Sequence, residues 1–323
     1  MPWQPFLAFL SRMARKASGD SRPSGPEMLY RQTLRSEVVL EGIGLHSGKP
    51  VRMRLRPAEA EQGIVFVRVD AGGERIPATL DHVGPSFYAT VLEKGDLKVS
   101  TIEHLMAALY ALQIDDLDVE LDAAEAPILD GSSRPFIEAI EKVGLKDLSV
   151  ERQYITLVRP LIVSRDEKRI AAYPAREYRV TYAIDFDHPL LGYQELSVSL
   201  WKPGAFAQKL APARTFTFEA EVETLRRAGL ALGGSLDNAL VLSDNRLLNP
   251  DLRFPDEFVR HKILDLTGDL SLLGRPLRAH VVAYRAGHDL HAQLARKIHS
   301  ARDSWYLAPW SEPPSDLETG APD

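Results

Sequence analysis

The chain contains no cysteine. Disulfide bridges, thiolate metal sites and cysteine nucleophiles are therefore excluded, and any zinc must be held by His and Asp or Glu. No hydrophobic run approaches the ~18 residues that a membrane-spanning helix requires. An excess of positive charge is missing too. The net charge of −6 argues against non-specific nucleic-acid binding, which draws its affinity from basic side chains set against phosphates. Walker, nucleophile-elbow and HExxH patterns are absent. Gly42-x-Gly44-x-x-x-Gly48 has the wrong spacing for a dinucleotide fingerprint and is followed by a strand, so it reads as a turn. His46 within that turn is a candidate to approach a site. What remains is a globular composition, 45% hydrophobic and 26% charged, on a chain long enough for two domains. The lack of cysteine fits a cytoplasmic home.

At the N-terminus, Pro5 to Leu10 is apolar, but Arg12, Arg15 and Lys16 follow it, the reverse of a secretory signal. Trp3, Phe6, Leu7, Leu10 and Met13 fall at helical spacing. Two readings stand: a disordered leader ending in Ser21-Arg-Pro-Ser-Gly-Pro26, or a weak interfacial helix in peripheral contact with a membrane.

Beyond the leader, strand-like pieces are expected at 31–41, 51–56, 63–69, 88–92 and 117–121, with helices over 101–112 and 135–143. Residues 145–150 read as a junction. Strands resume at 153–158, 169–174 and 178–185. A more helical block covers 203–229, followed by strand 240–242, a helix over 254–269, strand 279–284 and a last helix over 289–300. The acidic, Pro- and Gly-rich tail after Pro309 is expected to be disordered. Strands followed by helices occur once in each half, which points to an α+β protein of two domains with mainly antiparallel sheets. The expected division is an extension at 1–29, domains at 30–148 and 149–308, and a tail at 309–323. The repeated order of elements hints at a structural duplication, without a visible sequence repeat.

The most informative stretch is Phe254 to Asp269. As a helix it puts His261 and Asp265 one turn apart on the same face, with Asp269 a turn further. An imidazole and a carboxylate so placed can grip one metal ion from a single rigid element, with the second acid as an outer partner. Phe258, Val259, Ile263, Leu264, Leu266 and Leu270 surround this face, which argues against a freely solvated stripe. A third ligand is available at Ser100-Thr-Ile-Glu-His-Leu105. There Glu103 either caps the helix with His104 on the surface, or Glu103 is a base beside a metal-binding His104. The second reading makes a His2Asp zinc site with an open position, the catalytic pattern. His288, on a strand-to-helix turn beside Gly287, is either an acid for a leaving group or an ordinary histidine near a helix start. Thr215, between Arg214 and Phe216, either donates to an oxyanion or lies in a strand with two buried phenylalanines. His82, His188, His280, His291 and His299 are taken as structural or surface residues.

Taken in order, Gly42-Ile-Gly-Leu-His-Ser-Gly48, Thr101-Ile-Glu-His-Leu105, Ile128-Leu-Asp-Gly-Ser-Ser133, Ala213-Arg-Thr-Phe216, Leu232-Gly-Gly-Ser235, Phe258-Val-Arg-His-Lys262 and Gly287-His288 resemble the UDP-3-O-acyl-N-acetylglucosamine deacetylases of lipid A biosynthesis. The similarity covers about residues 30 to 305. It implies a pair of α+β domains, each a layer of strands against two helices, with the site between them. It further implies His104, His261 and Asp265 as ligands to Zn2+ (or Fe2+, which the same donors suit), Glu103 as base, and His288 as acid or cationic stabiliser oriented by Asp269. Thr215 would serve the oxyanion, Lys262 the sugar-phosphate and Phe216 the glucosamine ring. An inserted unit near 216–236, from Phe218 to Gly234, would form the acyl-chain passage, and Phe186 would lie near the uracil. The expected partner is thus a UDP-linked acylated glucosamine, with no nucleic acid and a monomeric state. A zinc amidohydrolase for another acylated substrate and a non-catalytic metal- or lipid-binding module are the rival readings. The Arg-Thr-Phe segment disfavours the first, and the presence of a base the second.

Overall fold

The computed structural model describes residues 29–86, 88–201 and 204–312. The N-terminal leader, with its two readings, and the tail beyond Glu312 lie outside these residues. Among them are helices α1 (Glu103–Ala111), α2 (Arg134–Val143), α3 (Ala205–Lys209), α4 (Glu219–Arg227), α5 (Glu257–Ser271) and α6 (His288–Ser300).

The first sheet runs in the order Val38–Ile43, Pro50–Pro57, Leu117–Leu121, Ile64–Arg68, Glu74–Pro77. All its pairs are antiparallel except that of Leu117–Leu121 with Ile64–Arg68. The period-two pattern is obeyed: Val51, Met53 and Leu55 are buried while Arg52 and Arg56 face out. In the second sheet Leu277–Tyr284 takes the central place. Lys168–Pro174 flanks it antiparallel and Arg179–Asp185 parallel, and each has its own hairpin partner outside, Leu161–Arg165 and Tyr193–Ser199. Two hairpins, a helix, a central strand and a helix thus recur in the same order and pairing. The protein is α+β with a duplicated topology, and its sequence hint of duplication lies in backbone pairing rather than in shared side chains. Gln153–Leu157 and Trp305–Pro309 extend the second sheet beside the start of the central strand.

The equivalent helices of the two halves, α1 and α5, pack against each other. Both are buried almost all round, as expected of helices whose apolar residues are not confined to one stripe. Their approach is closest at Gly268, where a Cβ would lie 2.1 Å from the Glu103 carbonyl oxygen. A glycine inside a helix costs about 1 kcal/mol relative to alanine; here it lets two backbones meet.

Several expectations are corrected. The strand expected over 31–41 is two strands in different sheets, Tyr30–Leu34 and Val38–Ile43. The junction at 145–150 is strand Leu145–Glu151, paired antiparallel with Tyr30–Leu34. Apolar alternation is weak in Leu145–Glu151 because none of its side chains is fully buried. The strand expected at 88–92 lies at Val91–Lys94, in a hairpin with Leu97–Ser100. The helical block 203–229 holds two helices separated by strand Phe216–Phe218, which pairs parallel with Leu240–Leu242. The tail reading fails for its first residues. Trp310 stacks on Trp201 with ring centroids 3.3 Å apart, and the buried Arg278 donates to the carbonyls of Trp310 and Glu312.

Gly268→Ala is expected to force α1 and α5 apart, at an overpacking cost of about 1–3 kcal/mol. Urea unfolding should show a lower midpoint and metal analysis a lower content per chain. Wild-type values for both would show that the helix crossing tolerates a side chain.

Candidate metal and acid–base site

The crossing of α1 and α5 places polar side chains where solvent cannot reach. His104 and His261 are 4% and 1% exposed, and Asp265 is 2% exposed. One ligand atom from each lies within 4.8 Å of the other two. His261 Nε2 is 3.2 Å and His104 Nε2 3.6 Å from Asp265 Oδ1, and the two rings meet edge-on with centroids 5.0 Å apart. With coordination bonds of ~2 Å, one ion fits between such atoms. Two further observations support that fit. His261 Nδ1 donates to the Ala213 carbonyl at 3.1 Å, fixing the tautomer that leaves the Nε2 lone pair free. Burial lowers the pKa of His261 despite the opposing Asp265 charge, so the ring is neutral, the form that binds a metal.

Glu103 does not cap its helix. The helix begins at Ile102 without a side-chain cap, and the Glu103 carboxylate is buried, accepting the Thr90 amide at 3.0 Å. His104 is equally buried, so the surface alternative for this pair is set aside. Burial raises the Glu103 pKa. The charges of His288 and His104 oppose that rise, while those of Asp265 and Asp269 add to it.

His288 opens α6 rather than preceding it. Its Nδ1 donates to Asp269 Oδ2 at 2.7 Å, and its Nε2 lies 3.9 Å from Asp265 Oδ2. Burial would lower its pKa, but the Asp269 charge and hydrogen bond prevail and hold it at about 9. The same pairing works on Asp269, whose pKa burial would raise; the His288 charge and the bonds from His288 and His291 bring it to about 2. Asp265 behaves likewise: burial opposes ionisation, yet its interactions with His261, the Lys262 charge and the His104 hydrogen bond hold it well below the ordinary carboxylate range. Glu103, Asp265 and Asp269 thus place three carboxylates in one buried region, against the cations His288 and Lys262. A divalent ion held by His104, His261 and Asp265 would offset the remaining negative charge.

The segment before Phe216 is fastened to α5 by a buried ion pair. Glu257 Oε1 accepts from the Arg214 amide and Nε, and Oε2 from Arg214 Nη2 and the Arg253 amide. This lock sets Thr215 and Phe216 beside the ligands, with the Phe216 ring 6.4 Å from that of His261. Lys262 Nζ bonds Asp265 Oδ2 at 2.9 Å and stands 5.4 Å from the Phe216 ring centroid. Thr215, Phe216 and Gly234 line a cavity of about 370 Å³ that runs along α4 through Val222, Leu225, Leu236 and Val241. Phe218 and Phe186 are in ring contact 5.7 Å apart, next to that wall and outside the lining.

Three participants were not singled out in the sequence. Thr90 ties Glu103, through its amide, to Asp269, through its hydroxyl. His291, read as structural or surface, donates from Nδ1 to Asp269 Oδ2 at 2.7 Å and meets the Tyr182 hydroxyl at 3.0 Å. Its spacing three residues after His288, on one helix face, was the available signal. Glu257 gave none.

A family model described as UDP-3-O-acyl N-acetylglycosamine deacetylase (LpxC) matches residues 31–300. The chain is 46% identical over 284 residues to the UDP-3-O-acyl-N-acetylglucosamine deacetylase of Syntrophotalea carbinolica, an alignment covering 87% of this chain and 91% of that protein. It is similar to the enzymes of the same name from Leptospira biflexa, 46% identical over 275 residues (84% and 91% covered), and Teredinibacter turnerae, 42% over 288 (88% and 95%).

His261→Ala is expected to abolish stoichiometric divalent metal, while His288→Gln retains it. Metal per chain, measured after dialysis, checks this; equal contents in the two variants would refute the division between ligand and non-ligand histidines.

Proposed function

The chain belongs to the family of UDP-3-O-acyl-N-acetylglucosamine deacetylases, and on that footing we propose how its own residues share the reaction. It is a hydrolase of lipid A biosynthesis that removes the N-acetyl group from a UDP-linked, 3-O-acylated glucosamine to give the free amine and acetate. The family is one of metalloenzymes, and His104, His261 and Asp265 would hold the ion, zinc or ferrous iron. Bound there, such an ion supplies Lewis acidity, polarising a carbonyl and acidifying water.

Glu103 takes the proton from the attacking water. Its raised pKa suits a base that works near neutrality, and the Thr90 amide fixes its direction. Thr215 is set to donate its hydroxyl to the developing oxyanion. His288 stays protonated because Asp269 holds its Nδ1–H, and it presents Nε2 to the site, where it stabilises negative charge and protonates the departing amine. Lys262, next to Phe216, faces the sugar-phosphate part of the substrate, Phe216 packs by the glucosamine ring, and Phe186 lies towards the uracil. The cavity from Thr215 past Gly234 takes the acyl chain, with Phe218 supporting its wall. The observation that carries this reading is the convergence of three ligand atoms within 4.8 Å beside the buried Glu103 carboxyl and the Asp269-paired His288.

Purified protein should release acetate from the UDP-3-O-acyl substrate, lose activity to a chelator and regain it with zinc; no release above background would end the proposal. Glu103→Gln and His288→Gln should each lower kcat by about 10²–10⁴-fold. The pH profile should be bell-shaped. Activity rises as Glu103 ionises above the ordinary carboxylate range, and falls as His288 deprotonates near about 9. A rate still climbing through that region would count against His288 as the cation.

A further inference from the structure

The turn Gly42–Gly48 was read from the sequence as a chain reversal, but it also carries a side chain into the acyl cavity. His46 lines that cavity together with Leu45, Thr215 and Phe216. Its backbone is held by a buried acid. Glu125, 3% exposed, accepts the amides of His46 and Ser47 at 2.8 Å each and the Thr101 hydroxyl at 3.0 Å. Thr101 stands two residues before Glu103, so the turn and the start of α1 share one anchor. Gly44 makes room for it, since a Cβ there would lie 2.2 Å from the Glu125 carboxylate.

The ring is oriented as well. Nδ1 accepts the Ala231 amide at 3.4 Å, which assigns the ring proton to Nε2. Burial lowers the imidazole pKa against the opposing Glu125 charge, consistent with a neutral ring. Nε2 is itself buried and has no hydrogen-bond partner among the described residues. A buried donor left unsatisfied is costly, and none of the acceptors on the cavity lining, the Thr215, Thr217 and Ser235 hydroxyls and the Glu219 and Glu223 carboxylates, is bonded to it. A ligand oxygen would complete it. The sugar-proximal end of the cavity is marked by Phe216, whose ring lies 6.4 Å from that of the ligand His261. His46 shares the lining of that cavity with Phe216 and Thr215.

We propose that His46 is a substrate-binding residue that donates Nε2–H to an oxygen of the 3-O-acyl group, with Glu125 positioning the turn that carries it. The inference rests on the deacetylase reading above. The acceptor is either the ester carbonyl or a hydroxyl borne by the chain, which offer the same chemistry. His46→Phe, which removes the donor but keeps an aromatic ring, and His46→Gln, which keeps a donor at similar reach, are compared with wild type on three substrates. These are a UDP-3-O-acyl substrate with an unsubstituted chain, its hydroxyacyl counterpart, and UDP-N-acetylglucosamine with a free 3-hydroxyl. The Phe variant should raise KM about 5–10-fold on an acylated substrate, the effect of one hydrogen bond, with kcat and metal content retained, and Gln should restore most of the loss. A penalty on both acylated substrates identifies the ester carbonyl, and one confined to the hydroxyacyl chain identifies the hydroxyl. An unchanged KM in the Phe variant, an equal penalty on the substrate without an acyl chain, or loss of metal would overturn the proposal. Failure of the wild-type protein to deacetylate any of the three would instead strike the functional reading beneath it.

Discussion

The crossing of α1 over α5 at Gly268 is the contact on which the site depends. Four of the residues that matter most flank it: Glu103 lends its carbonyl to the contact, His104 follows, and Asp265 and Asp269 lie a turn or less from Gly268 on the other helix. A metal ligand set drawn from two helices needs backbone separation controlled to a few tenths of an ångström, because coordination bonds tolerate little stretch. Side-chain packing alone would give a looser distance. A glycine against a carbonyl sets it by hard contact, and the buried apolar residues around both helices hold that contact closed.

Charge is managed by the same economy of contacts. Burying Glu103, Asp265 and Asp269 together is unfavourable unless each finds a partner. Asp269 has three donors, from Thr90, His288 and His291. Asp265 has Lys262 and the two ligand histidines, and Glu103 has the Thr90 amide. The result is a separation of roles by environment. Asp269 and His288 form an ion pair that stays charged over a wide pH range, while Glu103, with one neutral donor among the described residues, keeps a raised pKa, as the proposed proton exchange requires. Thr90 touches both systems and ties their geometry together.

Much of the site could be read from the residues themselves. The i, i+4 spacing of His261 and Asp265 amid apolar neighbours signalled a metal-gripping face, and Glu103-His104 and Gly287-His288 were visible as candidates, each with an ordinary alternative beside it. Other parts left no local trace. Thr90 sits in an irregular stretch whose partners are 13 and 179 residues away. Glu257, in the first turn of α5, is the buried counterion of Arg214, a partner 43 residues away. The strand Leu145–Glu151 was missed because none of its side chains is fully buried, so no alternating pattern was imprinted on it. His291 was passed over because a histidine on an amphipathic helix is usually incidental.

The amino-acid sequence alone determined the donor chemistry, oxygen and nitrogen without sulfur, the secondary structure of the long periodic segments, and the helical spacing that puts an imidazole and a carboxylate on one face. Those are properties of residue type and of separations of a few positions, which local backbone geometry converts directly into space. Tertiary structure decided the rest: that His104 meets His261 and Asp265, that Asp269 serves two histidines at once, and that His46 and Thr215 share a cavity wall. Each of these joins parts of the chain far apart in number, and their distance is fixed by how buried surfaces close on one another, which no local pattern encodes.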